Sequence, residues 1–201
     1  MRMMFMAMAC ALAMATVAAQ GPAAGAPGRG QGAARGPAGP PFTMAIAAFA
    51  DGQQIPPKYT QAGDQTSPAI AWMNPPAGTQ SFVLHFHDAE VARNKTTEDQ
   101  LHWLVWNIPA TATGLPEGVP MGLDRPDGSH QQSASGPVYR GPGAPATGPL
   151  HHYTFEVFAL DAKLDVPAAQ DAFDTRTNVF KAMQGHVLGK AVYVGLFKRP
   201  Q

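Results

Sequence analysis

The chain has 201 residues, with 14 Lys plus Arg against 14 Asp plus Glu, 20 prolines and a single cysteine. Without a basic surplus it offers no polybasic surface to a nucleic-acid backbone or to anionic lipid. A lone Cys10 excludes an intrachain disulfide and a thiolate zinc cluster.

The elements follow in chain order. Arg2 supplies a positive start, Met3 to Val17 is apolar, and Val17-Ala18-Ala19 stands before Gln20 as a small-residue cleavage site. Residues 1–19 therefore read as a secretory signal peptide, removed on export to the periplasm or beyond. The apolar run falls short of the roughly 20 residues of a membrane span, so the mature form is expected to carry none. A lipoprotein cut before Cys10 would leave too short a hydrophobic region, and Ala7-Met8-Ala9 fits that recognition pattern poorly. Residues 20–41 are Gly, Pro, Ala, Arg and Gln only. Such a stretch has no apolar surface to bury and resists both helix and sheet, so it reads as a disordered linker. The remainder, 42–201, suffices for one domain with a single core.

Within that domain, runs bounded by turn residues read as strands. They are Phe42 to Phe49, Ser67 to Trp72, Gln80 to His87, Leu101 to Ile108, Tyr153 to Leu160 and Ala191 to Phe197. In the third, Phe82, Leu84 and Phe86 share one face, and Val83, His85 and His87 share the other. Helical spacing appears from Thr177 to Leu188, with Thr175 or Thr177 as cap, and a shorter turn is expected around 168–173. Long irregular stretches fill 88–100 and 110–150. Strands first and one helix late predict a mainly β, antiparallel domain. No Gly-rich phosphate loop follows a strand.

Two polar stretches carry the candidate chemistry. One holds Asp88, Glu90 and His102-Trp103; the other runs from Tyr139-Arg140-Gly141-Pro142 to His151-His152-Tyr153. Each places a histidine where an irregular segment enters a strand, a junction at which a rigid sheet can hold out polar groups. Brought together, these acids, imidazoles and phenol would make one small pocket. Its donors would be His102, His151 and Tyr153, and an acid beside an imidazole raises its pKa and makes it a better donor. The acids could accept from an ammonium group. His152 is expected to face away, by strand alternation. Trp72 and Trp106 read as core and His186 as structural.

His85-x-His87 could chelate a metal from one strand face, with His130, His152 or Asp99 completing the set. No third ligand stands at a telling spacing, so a solvated face and no metal site are expected. No Gly-x-Ser-x-Gly elbow exists, and Ser81, Ser133 and Ser135 have no paired base. Asp88 and Glu90, two apart, would not flank a bond as hydrolysis requires. A non-enzymatic protein without cofactor is the expectation.

Beyond these residues the chain resembles a known family. Asp51-Gly52-Gln53-Gln54-Ile55-Pro56-Pro57-Lys58-Tyr59-Thr60, Ser67-Pro68, Trp72, His102-Trp103, Asn107-Ile108-Pro109, Tyr139 to Tyr153, Ala159-Leu160-Asp161 and Gly185-His186-Val187-Leu188 resemble the phosphatidylethanolamine-binding proteins, in their bacterial Raf-kinase-inhibitor-like branch. The likeness runs from about 45 to 198. It implies a large antiparallel sheet packed on a smaller one, with a helix in the C-terminal region and short helices. It implies a cavity for anionic or zwitterionic ligands such as phosphate or phosphoethanolamine headgroups. The residues carried over are Asp88, Glu90, His102, His151 and Tyr153, with Pro142 in the wall. Where the family has Asp-Pro-Asp-Ala-Pro, this chain has Asp88-Ala89-Glu90-Val91-Ala92, with a longer second acid and no proline. The resemblance also implies a homodimer. Two other uses stay open: a periplasmic interaction or inhibitor module acting on a protein partner, and a weak hydrolase using His102 and His151.

Overall fold

The computed structural model describes residues 39–201. The expected signal peptide at 1–19, and all of the linker at 20–41 except its last three positions, lie outside the described residues. Among the described residues, nine strands form two sheets. The small sheet has the order β1 (Thr43–Ile46), β3 (Ile70–Met73), β6 (Gly114–Leu115). The large sheet has the order β2-β9-β8-β4-β5-β7. Its strands are β2 (Gln53–Gln54), β4 (Ser81–Asp88), β5 (Gln100–Pro109), β7 (His130–Gln132), β8 (His151–Leu160) and β9 (Val187–Phe197). Every pair is antiparallel except β2 with β9. Short 3-10 turns occupy Pro57–Tyr59 and Arg93–Lys95.

Alternation in β4 builds two cores. Phe82, Leu84 and Phe86 enter the cluster shared with the small sheet, where Trp72 and Ile70 meet Phe155, Val157 and Trp103. Val83 enters a second cluster with Leu101, Leu104, Trp106 and the α-helix. Trp72 and Trp106 are both buried, as expected. The helix therefore covers the face that carries His85, which is 3% exposed. The solvated face expected at His85 and His87 is thus corrected, since sequence alternation alone cannot say what packs on the second side of a strand.

The helix, α1 (Ala172–Met183), starts and ends about five residues earlier than the spacing predicts. Asp171, not Thr175 or Thr177, is its cap, with Oδ1 accepting from the Phe173 amide at 2.7 Å. Thr175 lies inside α1, where its hydroxyl donates to Gln132 Oε1 at 2.7 Å and accepts from Ala169 N at 2.8 Å. The expected turn at 168–173 is no separate element; its last two residues are the first of α1. Gly185 at φ +85° breaks the helical course, and Val187 and Leu188, which continue the apolar period, open β9 instead.

The stretch at 110–150 is tied down by buried polar groups. Gln131, with no exposed surface, accepts from Trp103 Nε1 at 2.9 Å and donates to Pro120 O and Gly122 O at 2.7 and 2.9 Å. A loop whose buried amides are satisfied this way behaves as part of the core.

Candidate functional site

Antiparallel pairing decides where the site lies. The C-terminal end of β4 runs between the N-terminal ends of β5 and β8, with Asp88 opposite Gln100 on one side and Tyr153 on the other. Three strands thus deliver Asp88, His102, His151 and Tyr153 to one end of the sheet, at the strand termini. They line a cavity of about 190 Å³, closed on the far side by Gly143, Ala144 and Pro145.

Asp88 is 3% exposed. Its Oδ2 lies 2.8 Å and its Oδ1 3.1 Å from His151 Nδ1, and Oδ1 also accepts from Glu90 N at 3.1 Å. An ionised carboxylate only accepts, so the His151 proton sits on Nδ1 and points at Asp88.

His102 is equally buried, edge-on to Tyr153 at 5.1 Å and tilted against Phe86 at 5.3 Å. Its Nδ1 donates to the Arg140 carbonyl at 2.9 Å. Burial lowers its pKa to about 4, outweighing the opposing pulls of that carbonyl and of Asp88. The expectation that a nearby acid would raise this imidazole is corrected: desolvation wins. His102 is a neutral ring whose Nε2 is an acceptor, not a cationic donor.

Tyr153 is fully buried, and its hydroxyl oxygen accepts from the amides of Gly143 and Ala144 at 3.1 and 2.9 Å. Burial, and next the Asp88 charge, push the phenol well above its usual range. It therefore keeps its proton at neutral pH and anchors the cavity wall.

That wall approaches Tyr59 and Thr60 too closely for any side chain at Gly141, where a Cβ would lie 2.8 Å from Tyr59 O and 2.9 Å from Thr60 Cα. Tyr139 Oη donates to Tyr59 O at 2.9 Å, Gln61 Nε2 donates to Gly141 O at 2.8 Å, and Gln61 N donates to Pro142 O at 2.8 Å. Pro142 is buried in this wall, behind the lining residues.

Glu90 is not among the lining residues. It accepts from His152 N at 2.7 Å and faces His152 Nδ1 at 2.5 Å. His152 is exposed and outside the cavity lining, in keeping with strand alternation. One ligand atom each of Asp88, Glu90 and His151 nevertheless lies within 4.8 Å of the others, close enough to share a cation. His186, expected to be structural, pairs with Asp161 at 2.8 Å.

Sequence reasoning missed Arg140, Gln61 and Gln100, all of which line the cavity. Arg140 is the one Lys or Arg among the lining residues. Its Nη1 donates to Ser135 Oγ at 2.7 Å, and its Nε is buried without a partner. The available signal was a lone cation inside the Pro/Gly run that supplies the wall.

Two packed β-sheets holding a small polar cup at their strand ends make a ligand-binding class of domain. The profile of the phosphatidylethanolamine-binding proteins matches residues 45–198, and the chain belongs to that family. A UPF0098 protein of Methanothermobacter thermautotrophicus is 40% identical over 155 residues, covering 76% of this chain and 95% of that protein. UPF0098 protein YbhB of Escherichia coli is 37% identical over 124 residues, 58% of this chain and 77% of its own length. The crystal structure of E. coli YbcL, described as a member of the mammalian PEBP family, aligns with a TM-score of 0.64 at 25% identity. That alignment covers 79% of this chain and 98% of YbcL. Among the described residues, no helix is long and apolar enough to cross a membrane.

Proposed function

We propose that this chain is an exported, non-enzymatic binding protein whose cup takes a phosphate-type headgroup, free or on a phosphoethanolamine-like ligand. The observation that carries the reading is the convergence of His102 and His151, with Asp88 and Tyr153, on one cavity of about 190 Å³. That volume lies below the roughly 300–1,000 Å³ of drug-sized pockets, so it suits a headgroup and leaves acyl chains outside.

The chemistry favours a ligand with both acceptor and donor character. Arg140 supplies guanidinium donors, and His151, whose Nδ1 is engaged by Asp88, leaves its Nε2 for the ligand. Neutral His102 accepts, which suits the remaining O–H of a singly protonated phosphate. Asp88 repels a bare dianion and accepts from an ammonium, which favours a zwitterion.

Titration of isotope-labelled protein with inorganic phosphate, phosphoethanolamine and ethanolamine, followed by NMR, tests this. Saturable shifts at His102 and His151 are expected with both phosphates, at a Kd on the order of 1 mM or tighter. His151→Ala weakens them about tenfold or more, the worth of one charge-assisted hydrogen bond. Rings that do not respond to any of the three ligands would refute the proposal.

The export part of the reading rests on the 1–19 segment. The N-terminus of protein recovered from a periplasmic fraction is expected at Gln20; an intact Met1 on all recovered protein would remove it.

A further inference from the structure

On the opposite face of the large sheet, His85, His87 and Glu156 form a second cluster that the cup does not use. His85 and His87 share a face of β4, and Glu156 is the register partner of His85 on β8. Glu156 Oε2 lies 3.1 Å from His85 Nδ1 and 3.6 Å from His87 Nε2. The three ligand atoms all fall within 4.8 Å of one another. A tetrahedral site with bonds of about 2.0–2.1 Å has ligand atoms about 3.3–3.5 Å apart, so both measured edges already sit near that spacing.

The surroundings are those of a metal site. Asp99 Oδ2 lies 2.5 Å from His87 Nδ1, the position of the carboxylate that orients a ligating imidazole. Arg176 holds Asp99 at 2.5 Å, and Lys190 holds the other oxygen of Glu156 at 2.6 Å. The two imidazoles stack in parallel, with centroids 4.3 Å apart, so one ring must turn out of the stack for both to aim a nitrogen at one ion. His87 Nε2, the nitrogen 3.6 Å from Glu156, is buried without a hydrogen-bond partner; the unpaired Nε2 of buried His85 is not the ligand atom, which is Nδ1. Unpaired buried polar atoms are costly and mark places where the protein alone does not complete the bonding. His85, Asp99 and Arg176 also line a cavity of about 440 Å³ beside α1, which reaches the cluster at its His85 end.

We infer that His85, His87 and Glu156 bind one divalent transition-metal ion of the zinc class, with Asp99 as the residue positioning His87. Two nitrogens and one carboxylate oxygen match zinc, cobalt or nickel rather than calcium or magnesium. The site is separate from the headgroup cup and does not depend on that reading. The competing occupant is a proton. Burial lowers the His87 pKa, but Asp99 and Glu156 outweigh it and hold it at about 9. An imidazolium shared by two carboxylates would satisfy the same groups without an ion.

The test is calorimetric titration of chelator-treated, full-length protein with zinc chloride, paired with the visible absorption of cobalt(II). One equivalent is expected, with a tetrahedral cobalt spectrum. Glu156→Gln and His87→Ala should lower affinity about 100-fold or more, and Asp99→Asn about tenfold. His151→Ala should leave zinc affinity unchanged. Should His87→Ala fail to fold, the two carboxylate-to-amide variants carry the decision, since each keeps the shape of the side chain. Binding unaffected by Glu156→Gln, loss of binding in His151→Ala, or no heat with wild-type protein at micromolar zinc would each overturn the site.

Discussion

Replacing Phe86 by alanine is expected to remove about 3–5 kcal/mol of unfolding free energy, more than a third of what many domains possess. Phe86 has no exposed surface. It stacks on Phe155 at 3.8 Å and 11° and on Tyr139 at 5.6 Å and 4°, and it touches the His102 and Tyr153 rings. Truncation opens a cavity bounded by four rings on two strands and the wall segment, none of which can collapse inward without leaving its own partners. Denaturant unfolding should show a lower midpoint at unchanged slope. Phe86→Leu should recover part of the loss. Because His102 rests on the same ring, phosphate affinity should fall with stability. A midpoint within error of wild type would mean that the aromatic stack does not support the core.

The second large effect is on acid stability. Burial of His102 brings its folded pKa to about 4 against an unperturbed value near 6.5. The sign follows from proton counting. Between these values the unfolded chain binds a proton that the folded chain refuses, so stability is full above about pH 6.5, falls as pH drops, and levels off below about 4. From pH 7 to pH 5 the loss should be about 2 kcal/mol, and the full limb is on the order of 3 kcal/mol. That range avoids the carboxylates. Glu156 and Asp99 are held below their usual range by His85 and His87 despite burial, so their losses come at lower pH. In the metal-free protein His87, held up to about 9, acts on the alkaline side, where its contribution fades above neutrality. Urea unfolding at pH 7 and 5 measures the limb, and His102→Gln should shrink it, leaving the part that burial of His85, also lowered, contributes. A wild-type protein equally stable at both pH values would show that His102 accepts its proton in the fold.

Much of this molecule could be read in one dimension. The alternation of Phe82, Leu84 and Phe86, and of Phe155, Val157 and Ala159, announced long strands with one buried face, and both lie in the shared core. Asp88, His102, His151 and Tyr153 could be chosen because each stands where an irregular run meets a strand. What resisted reading depended on register or on a second covering layer. Glu156 becomes the companion of His85 only once β4 and β8 are aligned, and no sequence spacing encodes that offset. The α1 boundaries slipped because Val187 and Leu188 prolong the apolar rhythm past the point where Gly185 turns the chain. Arg140 was passed over because its neighbours described a wall, and only the folded form turns that wall toward the imidazoles. Glu90 illustrates the opposite problem: proximity in sequence to Asp88 suggested a shared task, yet its carboxylate is engaged by exposed His152.

The cup joins two materials of different stiffness. Its reactive groups stand on interior strands of a six-stranded sheet, whereas its rim is an irregular ribbon suspended from residues 57–61 by main-chain and amide bonds. Substitutions in the ribbon can widen or narrow the opening without displacing a single imidazole or carboxylate. Selectivity for guest size can therefore drift during evolution while the chemistry of recognition stays put.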